Sequence, residues 1–127
     1  MPTIVVAEND AVIRVGIEAI LEESGHEAIG LDNGEEVLHL LRERPDISIL
    51  IASIELRGPM SGLELVFEAK RRHPDICLIV ATGRSKQEAG ELPSGALYLA
   101  KPFVQSEVEA AVKACLGRPD LIPEPKP

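Results

Sequence analysis

Ile47-Ser-Ile-Leu-Ile-Ala-Ser-Ile-Glu-Leu-Arg-Gly-Pro-Met-Ser-Gly62 is the stretch whose reading decides the fold. Its first half is a run of β-branched and apolar residues without helical spacing, which predicts a strand from Ile47 to Ser53 buried on both faces. The second half is punctuated by Gly58, Pro59 and Gly62, the signature of a loop that runs into a helix. In open parallel α/β sheets ligands bind just beyond the carboxyl ends of the strands. Ser53 therefore marks the first place to look for chemistry, and the residue found there is a serine.

On the N-terminal side of this stretch, Thr3 to Ala7 is a short β-branched strand that delivers Glu8-Asn9-Asp10 to a loop. Val12, Ile13, Ile17, Ile20 and Leu21 then recur at helical spacing until Ser24-Gly25 stops the pattern. His26 to Leu31 is a second strand, and Asp32-Asn33-Gly34 turns the chain into a helix carrying Val37, Leu38, Leu40 and Leu41 that Pro45 closes.

On the C-terminal side, Leu63, Val66, Phe67 and Lys70 fit a third helix. It ends in Lys70-Arg71-Arg72-His73, cations that suit the negative end of a helix dipole. Ile76 to Thr82 reads as a fourth apolar strand, and a polar connection follows through Ser85 to Gly95, with Lys86 to Gly90 as its one candidate helical turn. Ala96 to Ala100 is the fifth strand, Lys101-Pro102 comes next, and Val104, Val108, Ala111, Val112 and Cys115 mark a last helix. The domain is expected to span residues 1–117, with 118–127 a proline-bearing tail. Five alternations of strand and helix with short connections predict one parallel sheet with helices on both faces.

Composition narrows the function classes. A chain of 127 residues, 45% hydrophobic and 27% charged, has the length and balance of one globular domain, and with 2% aromatics its core must be aliphatic. Thirteen basic against 21 acidic residues give a net charge of −8, which disfavours nucleic acid as a direct partner. No apolar run approaches the roughly 18 residues of a membrane span, and Met1-Pro2-Thr3 leads straight into the first strand without a signal peptide, so a cytoplasmic location is expected. Cys77 and Cys115 have neither disulfide-framework nor metal-ligand spacing, and reduced buried thiols are expected. His26 and His39 lack the clustering of a metal site and are expected at the surface or an edge. The first strand is followed by Ala7-Glu8-Asn9-Asp10-Ala11 rather than a glycine-rich loop, which argues against phosphate cradling for a nucleotide or flavin.

The residues at the strand ends form a set: Glu8-Asn9, Ser53, Ala81-Thr82 and Lys101-Pro102-Phe103. Together with the runs Leu56-Arg-Gly-Pro-Met-Ser-Gly-Leu-Glu-Leu65 and Tyr98-Leu-Ala-Lys-Pro-Phe103, this set resembles the receiver domain of bacterial two-component response regulators, over roughly Thr3 to Leu116. The resemblance implies a flavodoxin-like (βα)5 doubly wound sheet with five parallel strands in the order 2-1-3-4-5. It also implies a phosphorelay site: an aspartate after the third strand accepts a phosphoryl group from a histidine kinase, and two acids after the first strand hold Mg²⁺. A Thr or Ser after the fourth strand contacts the phosphoryl oxygens, and the Lys of Lys-Pro pairs with them. Phosphoryl transfer is mostly positioning and charge neutralisation, which is why each part is needed.

Carried over residue by residue, the resemblance keeps Lys101 and Pro102, and keeps Tyr98 at the family's switch position. It departs at three places. Ser53 stands at the acceptor position, Asn9 replaces one of the two metal-holding acids, and Ala81 stands where the hydroxyl is expected, with Thr82 one residue on and pointing the other way if the strand persists. A serine hydroxyl is a weak nucleophile without a neighbouring base, and none of His26, His39 or His73 falls at a strand end beside Ser53. Mg²⁺ is expected to bind weakly if at all, since only Glu8 is a firm ligand, with Asp10 and Glu55 as nearby acids. Lys101, without its usual carboxylate, is expected either to pair with Glu8 or to stand solvated. Tyr98 reads as a switch or a core aromatic, and Pro102 as the family's turn or a helix-initiating proline.

The reading favoured by these departures is a degenerate receiver, not an enzyme, that acts as a protein-interaction module. Its expected partners are a histidine kinase, a phosphotransfer protein, another regulator or a second copy. In receivers that second copy meets the face of the fourth helix, fifth strand and fifth helix, altered here by Gly90 and Pro93 between Arg84 and Gly95. Neither nucleic acid nor membrane is expected. The alternatives are a phosphorylatable receiver whose acceptor has been substituted by Ser53, and a small flavodoxin-like ligand-binding protein.

Overall fold

The computed structural model describes residues 2–83 and 90–117. The strands are β1 (Thr3–Ala7), β2 (Glu27–Leu31), β3 (Ile49–Ser53), β4 (Cys77–Thr82) and β5 (Leu97–Ala100). The helices among the described residues are α1 (Ala11–Glu23), α2 (Gly34–Glu43), α3 (Gly62–Arg72) and α4 (Gln105–Leu116). All strands are parallel in the order β2-β1-β3-β4-β5, the flavodoxin-like arrangement anticipated from the strand ends.

Alternation along the strands sorts the core into two layers. Val5, Ala7, Leu50, Ala52, Leu78 and Val80 face α2 and α3, packing on Val37, Leu41, Leu65 and Ala69. Ile4, Val6, Ile49, Ile51, Ile79 and Ala81 face the other side and meet Ile17 and Leu21 of α1 and Val108 and Val112 of α4. β3 lies between β1 and β4, and all five of its residues are buried, as an unbroken apolar run requires.

Four strands start one or two residues later than the apolar pattern suggests, for one physical reason: the preceding N–H closes a turn instead of joining the ladder. Ile47 N donates to Arg44 O at 3.1 Å, Ile76 N to His73 O at 2.9 Å, Ala96 N to Pro93 O at 3.1 Å and His26 N to Leu21 O at 3.0 Å. Ile47 and Ile76 remain buried although outside the strands.

Helix starts follow their capping residues. Asp10 caps α1, its Oδ1 accepting from Val12 N at 2.9 Å and Ile13 N at 3.2 Å, and Asn33 caps α2 through Glu36 N at 2.9 Å. Ser61 and Glu64 form a reciprocal capping box on α3, a device that contributes about 1 kcal/mol. α4 begins after Val104, which offers no side-chain acceptor; Glu107 supplies half of a box by accepting from Val104 N at 2.9 Å. Pro102 follows a cis peptide bond and lies ahead of the first helical residue, Gln105, so it is not a helix-initiating proline.

The cysteines depart from expectation. Cys77 and Cys115 are joined in a disulfide, with Cα atoms 5.8 Å apart. Their separation of 38 residues gives no local sign of pairing, and only the packing of α4 against the start of β4 brings them together in the same layer. The bond closes a long loop and so restricts the unfolded chain. His39 is exposed as expected, whereas His26 is half-buried and its Nδ1 has no hydrogen-bond partner among the described residues. No helix among the described residues is long and apolar enough to cross a membrane. The sequence expectations for Lys86–Gly90 and for the tail 118–127 fall largely or wholly outside the described residues.

Candidate functional site

Parallel pairing sets the carboxyl ends of β1, β3, β4 and β5 side by side, so their last residues and the loops beyond form one pocket. Lys101, next after β5, is fixed at its backbone by donating to Thr82 O at 2.8 Å. Its side chain reaches across the sheet end. Nζ lies 2.8 Å from Glu8 Oε1, 2.9 Å from Ser53 Oγ and 3.4 Å from Glu55 Oε1. Of the two arrangements open to Lys101, pairing with Glu8 is the one adopted.

The pair is well removed from water. Glu8 is 5% exposed and Ser53 1%, while the Lys101 side chain retains 16% of its surface. Glu8 Oε2 also accepts from Asp10 N at 3.0 Å, and Arg14 Nη1 binds the Glu8 carbonyl at 2.7 Å, so the acid is held from both ends. Ser53 is enclosed by hydrogen bonds: Oγ accepts from Lys101 Nζ and from Glu55 N at 3.2 Å, and faces Glu55 Oε1 at 3.5 Å.

Asn9 is a structural bridge. Its Oδ1 accepts from Arg57 N and its Nδ2 donates to Asp32 O at 2.9 Å, tying the loop after β1 to the loops after β3 and β2. Asp10 is turned away from the pocket to cap α1. Of the three polar residues after β1, only Glu8 is directed at Lys101.

The end of β4 behaves differently from the sequence expectation. The strand persists through Thr82, so Thr82 does point opposite to Ala81, which packs with Leu99 and Val108. Thr82 nonetheless belongs to the pocket, because Glu55, two residues beyond the strand, bridges the layers. Thr82 Oγ1 donates to Glu55 Oε2 at 2.6 Å while Oε1 of the same carboxylate faces Lys101. The Gly83 backbone N–H also donates to Glu55. Burial of this carboxylate pushes its pKa up, but the Thr82 hydroxyl, the Lys101 charge and hydrogen bond, and the Gly83 N–H outweigh burial and hold it below the ordinary glutamate value.

The bridge formed by Glu55, and hence the use of Thr82 and Gly83, was not readable from spacing. The one available signal was a threonine closing an otherwise apolar strand, since a hydroxyl with no exposure needs a partner. Tyr98 is half-buried on β5, and by alternation its side chain leaves the sheet on the face opposite to Leu97 and Leu99, which pack in the layer of α4.

The sequence profile of the response regulator receiver domain matches residues 4–113. The chain belongs to that family. As a receiver of two-component signalling it is similar to bacterial regulators: it is 34% identical to the DNA-binding transcriptional regulator NtrC of Escherichia coli over 116 residues, 88% of this chain and 24% of NtrC. It is 27% identical to the sensor kinase CckA of Brucella abortus over 121 residues, 93% of this chain and 13% of the kinase. The receiver thus spans about a quarter or less of these two relatives' lengths. Among solved structures, a response regulator receiver domain protein from Clostridium thermocellum matches with a TM-score of 0.85 and 25% identity, covering 95% of this chain and 98% of that one.

Proposed function

We propose that this receiver acts as a protein-interaction module in two-component signalling and is not phosphorylated by the aspartyl mechanism. The observation that carries this reading is Ser53: the last residue of β3, where the family's acceptor carboxylate is expected, is a buried hydroxyl whose oxygen accepts from the Lys101 ammonium at 2.9 Å. An ammonium donating to a hydroxyl oxygen withdraws the lone pair a nucleophile needs. The nearest base, Glu55 at 3.5 Å, is held below the ordinary glutamate pKa and is correspondingly weak.

The family's Mg²⁺ does not fit this donor set. Octahedral Mg²⁺ takes one or two free carboxylates. Here Glu8 is engaged by Lys101 and Asp10 N, Asp10 caps α1, and Asn9 Oδ1 accepts from Arg57 N. In this reading the module works without a resident metal and without a catalytic residue of its own.

The surface supports a protein partner. Val12 (83% exposed), Val15 and Val104 stand out from a surface whose other large apolar residues are mostly covered. Separately, a groove of about 420 Å³ lined by Ile13, Ile17, Ile20, Pro102 and Phe103 lies beside the pocket mouth. A kinase, a phosphotransfer protein or another regulator is the partner class, in line with the sensor kinase and the regulator among its relatives. The net charge of −8 opposes nucleic acid.

The test is intact-mass analysis after incubation with Mg²⁺ and a small acyl-phosphate donor. The expected outcome is an unchanged mass. A stable gain of one phosphoryl group, mapped to Ser53, would replace this reading with a phosphorylatable receiver, because a serine phosphate ester survives the measurement where an acyl phosphate decays.

A further inference from the structure

The carboxylate of Glu55 has the surroundings of a bound anion. The Thr82 hydroxyl donates to Oε2 at 2.6 Å, the Gly83 backbone N–H donates to the same group, and the Lys101 ammonium faces Oε1 at 3.4 Å. These are a hydroxyl and an N–H at the end of β4 and a cation after β5, converging from two strand ends on one point above Ser53. The receiver resemblance assigns a hydroxyl after the fourth strand, expected where Ala81 stands, and the lysine after the fifth to the oxygens of a phosphoryl group; in this chain Thr82, one residue on, donates to Glu55, and Lys101, held most closely by Glu8 and Ser53, also faces it.

Glu55 arrives there without strain on the strand. β3 ends at Ser53, Leu56 N returns to Ser53 O at 3.1 Å, and Glu55 N donates to Ser53 Oγ at 3.2 Å. This turn lifts the side chain over the strand end and aims it at β4. Charge-assisted hydrogen bonds of this kind are the strong ones, and their partners are pre-set by the sheet.

We propose that Glu55 is a built-in ligand: its carboxylate fills the oxyanion cradle made by Thr82, Gly83 and Lys101, so the pocket holds its occupied arrangement without phosphoryl supply. This rests on the reading of Ser53 as a non-acceptor and adds to it the regulation of the site. The same cradle, emptied of Glu55, takes a small tetrahedral oxyanion such as phosphate. In the intact chain the internal carboxylate competes with such an anion as a tethered group, at an effective concentration set by the short turn that carries it.

Inorganic phosphate is the probe, titrated into ¹⁵N-labelled protein and followed by amide spectra. It forms no covalent bond here, so the outcome is independent of whether an acyl-phosphate donor can modify Ser53, and the two readings fail separately. Glu55→Ala is expected to bind phosphate roughly ten-fold or more tightly than the unaltered chain, with saturable shifts at Ser53, Thr82, Gly83 and Lys101. Glu55→Gln keeps the bulk and loses the charge, and is expected to fall between the two. The Glu55 side chain is 38% exposed in a turn outside the core, so both variants should retain the amide spectrum of the sheet and helices. Equal phosphate affinity in the unaltered chain and Glu55→Ala, or no saturable shift in either variant, would overturn the proposal.

Discussion

Replacing Gly62 by alanine is expected to destabilise the fold by at least about 3 kcal/mol, the upper end of what overpacking costs. Gly62 opens α3 and is buried against the end of β3. A Cβ at this position would overlap the carbonyl oxygen of Ser53 and come within 2.8 Å of Ile54 Cα. Both are backbone atoms, so no rotamer change relieves the contact; either α3 moves off the sheet or the strand end moves with its pocket. The comparison is Gly16→Ala. Gly16 lies inside α1, exposed, with open space where the methyl would go, and helix propensity predicts a gain of up to about 1 kcal/mol. Denaturant midpoints for the two variants check the contrast, and a Gly62→Ala midpoint within error of the parent would refute the close approach of α3 to β3.

The second large effect is expected from Lys101→Met. Methionine keeps the length of the stem but leaves the Glu8 carboxylate, 5% exposed, facing a hydroxyl and a second acid with no cation between them. Removing one partner of a buried pair costs about 3–5 kcal/mol, mainly because the other charge stays buried and uncompensated. The double variant Glu8→Gln/Lys101→Met is expected to recover most of that loss, since desolvation of both charges is then avoided. A double-mutant cycle from urea unfolding measures the coupling. Near-additive losses would show that the 2.8 Å contact contributes little. The same cycle with Glu55 is predicted to give a smaller coupling, because its contact to Lys101 is longer and its side chain more open to water.

Much of this fold is legible in the residues. Unbroken apolar runs at Thr3–Ala7, Ile49–Ser53 and Cys77–Thr82 are strands because only a sheet covered on both faces buries every side chain of such a run. The polar groups Glu8-Asn9-Asp10 and Asp32-Asn33-Gly34 announce the first two helices, whose caps are Asp10 and Asn33, while the Ser61 cap of α3 is seen only in the structure. Strand beginnings are less legible, since Ile47 and Ile76 are apolar and buried yet give their N–H groups to turns, which composition does not distinguish from a ladder. For Lys101 the residues left two arrangements open, pairing with Glu8 or solvation, and only the fold, which carries the side chain across the ends of β4 and β3, decides for Glu8. The Cys77–Cys115 bond and the reach of Glu55 to Thr82 did not follow, because both depend on how α4 and the loop after β3 fold back over β4, positions set by packing across distant segments rather than by local pattern.

The site departs from the family's in side-chain chemistry rather than in fold. Sheet, crossover helices and the lysine after β5 are those of the family, and the differences are three polar groups at strand ends. Ser53 offers a hydroxyl where a carboxylate would carry the transferred group, Asn9 is committed to joining three loops, and Glu55 occupies donors at the end of β4. Their combination in one pocket is the ground on which we propose a receiver that signals through its surface.

Beryllofluoride binding in the presence of Mg²⁺ tests that claim most directly, because the complex mimics a phosphoryl group on an acceptor carboxylate and needs both the acid and the metal. Titrated into the unaltered chain and followed by amide spectra, it is predicted to leave Glu8, Ser53, Thr82, Gly83 and Lys101 unshifted beyond the effect of ionic strength. Saturable shifts running across those residues would contradict the account and return this protein to the phosphorylatable receivers.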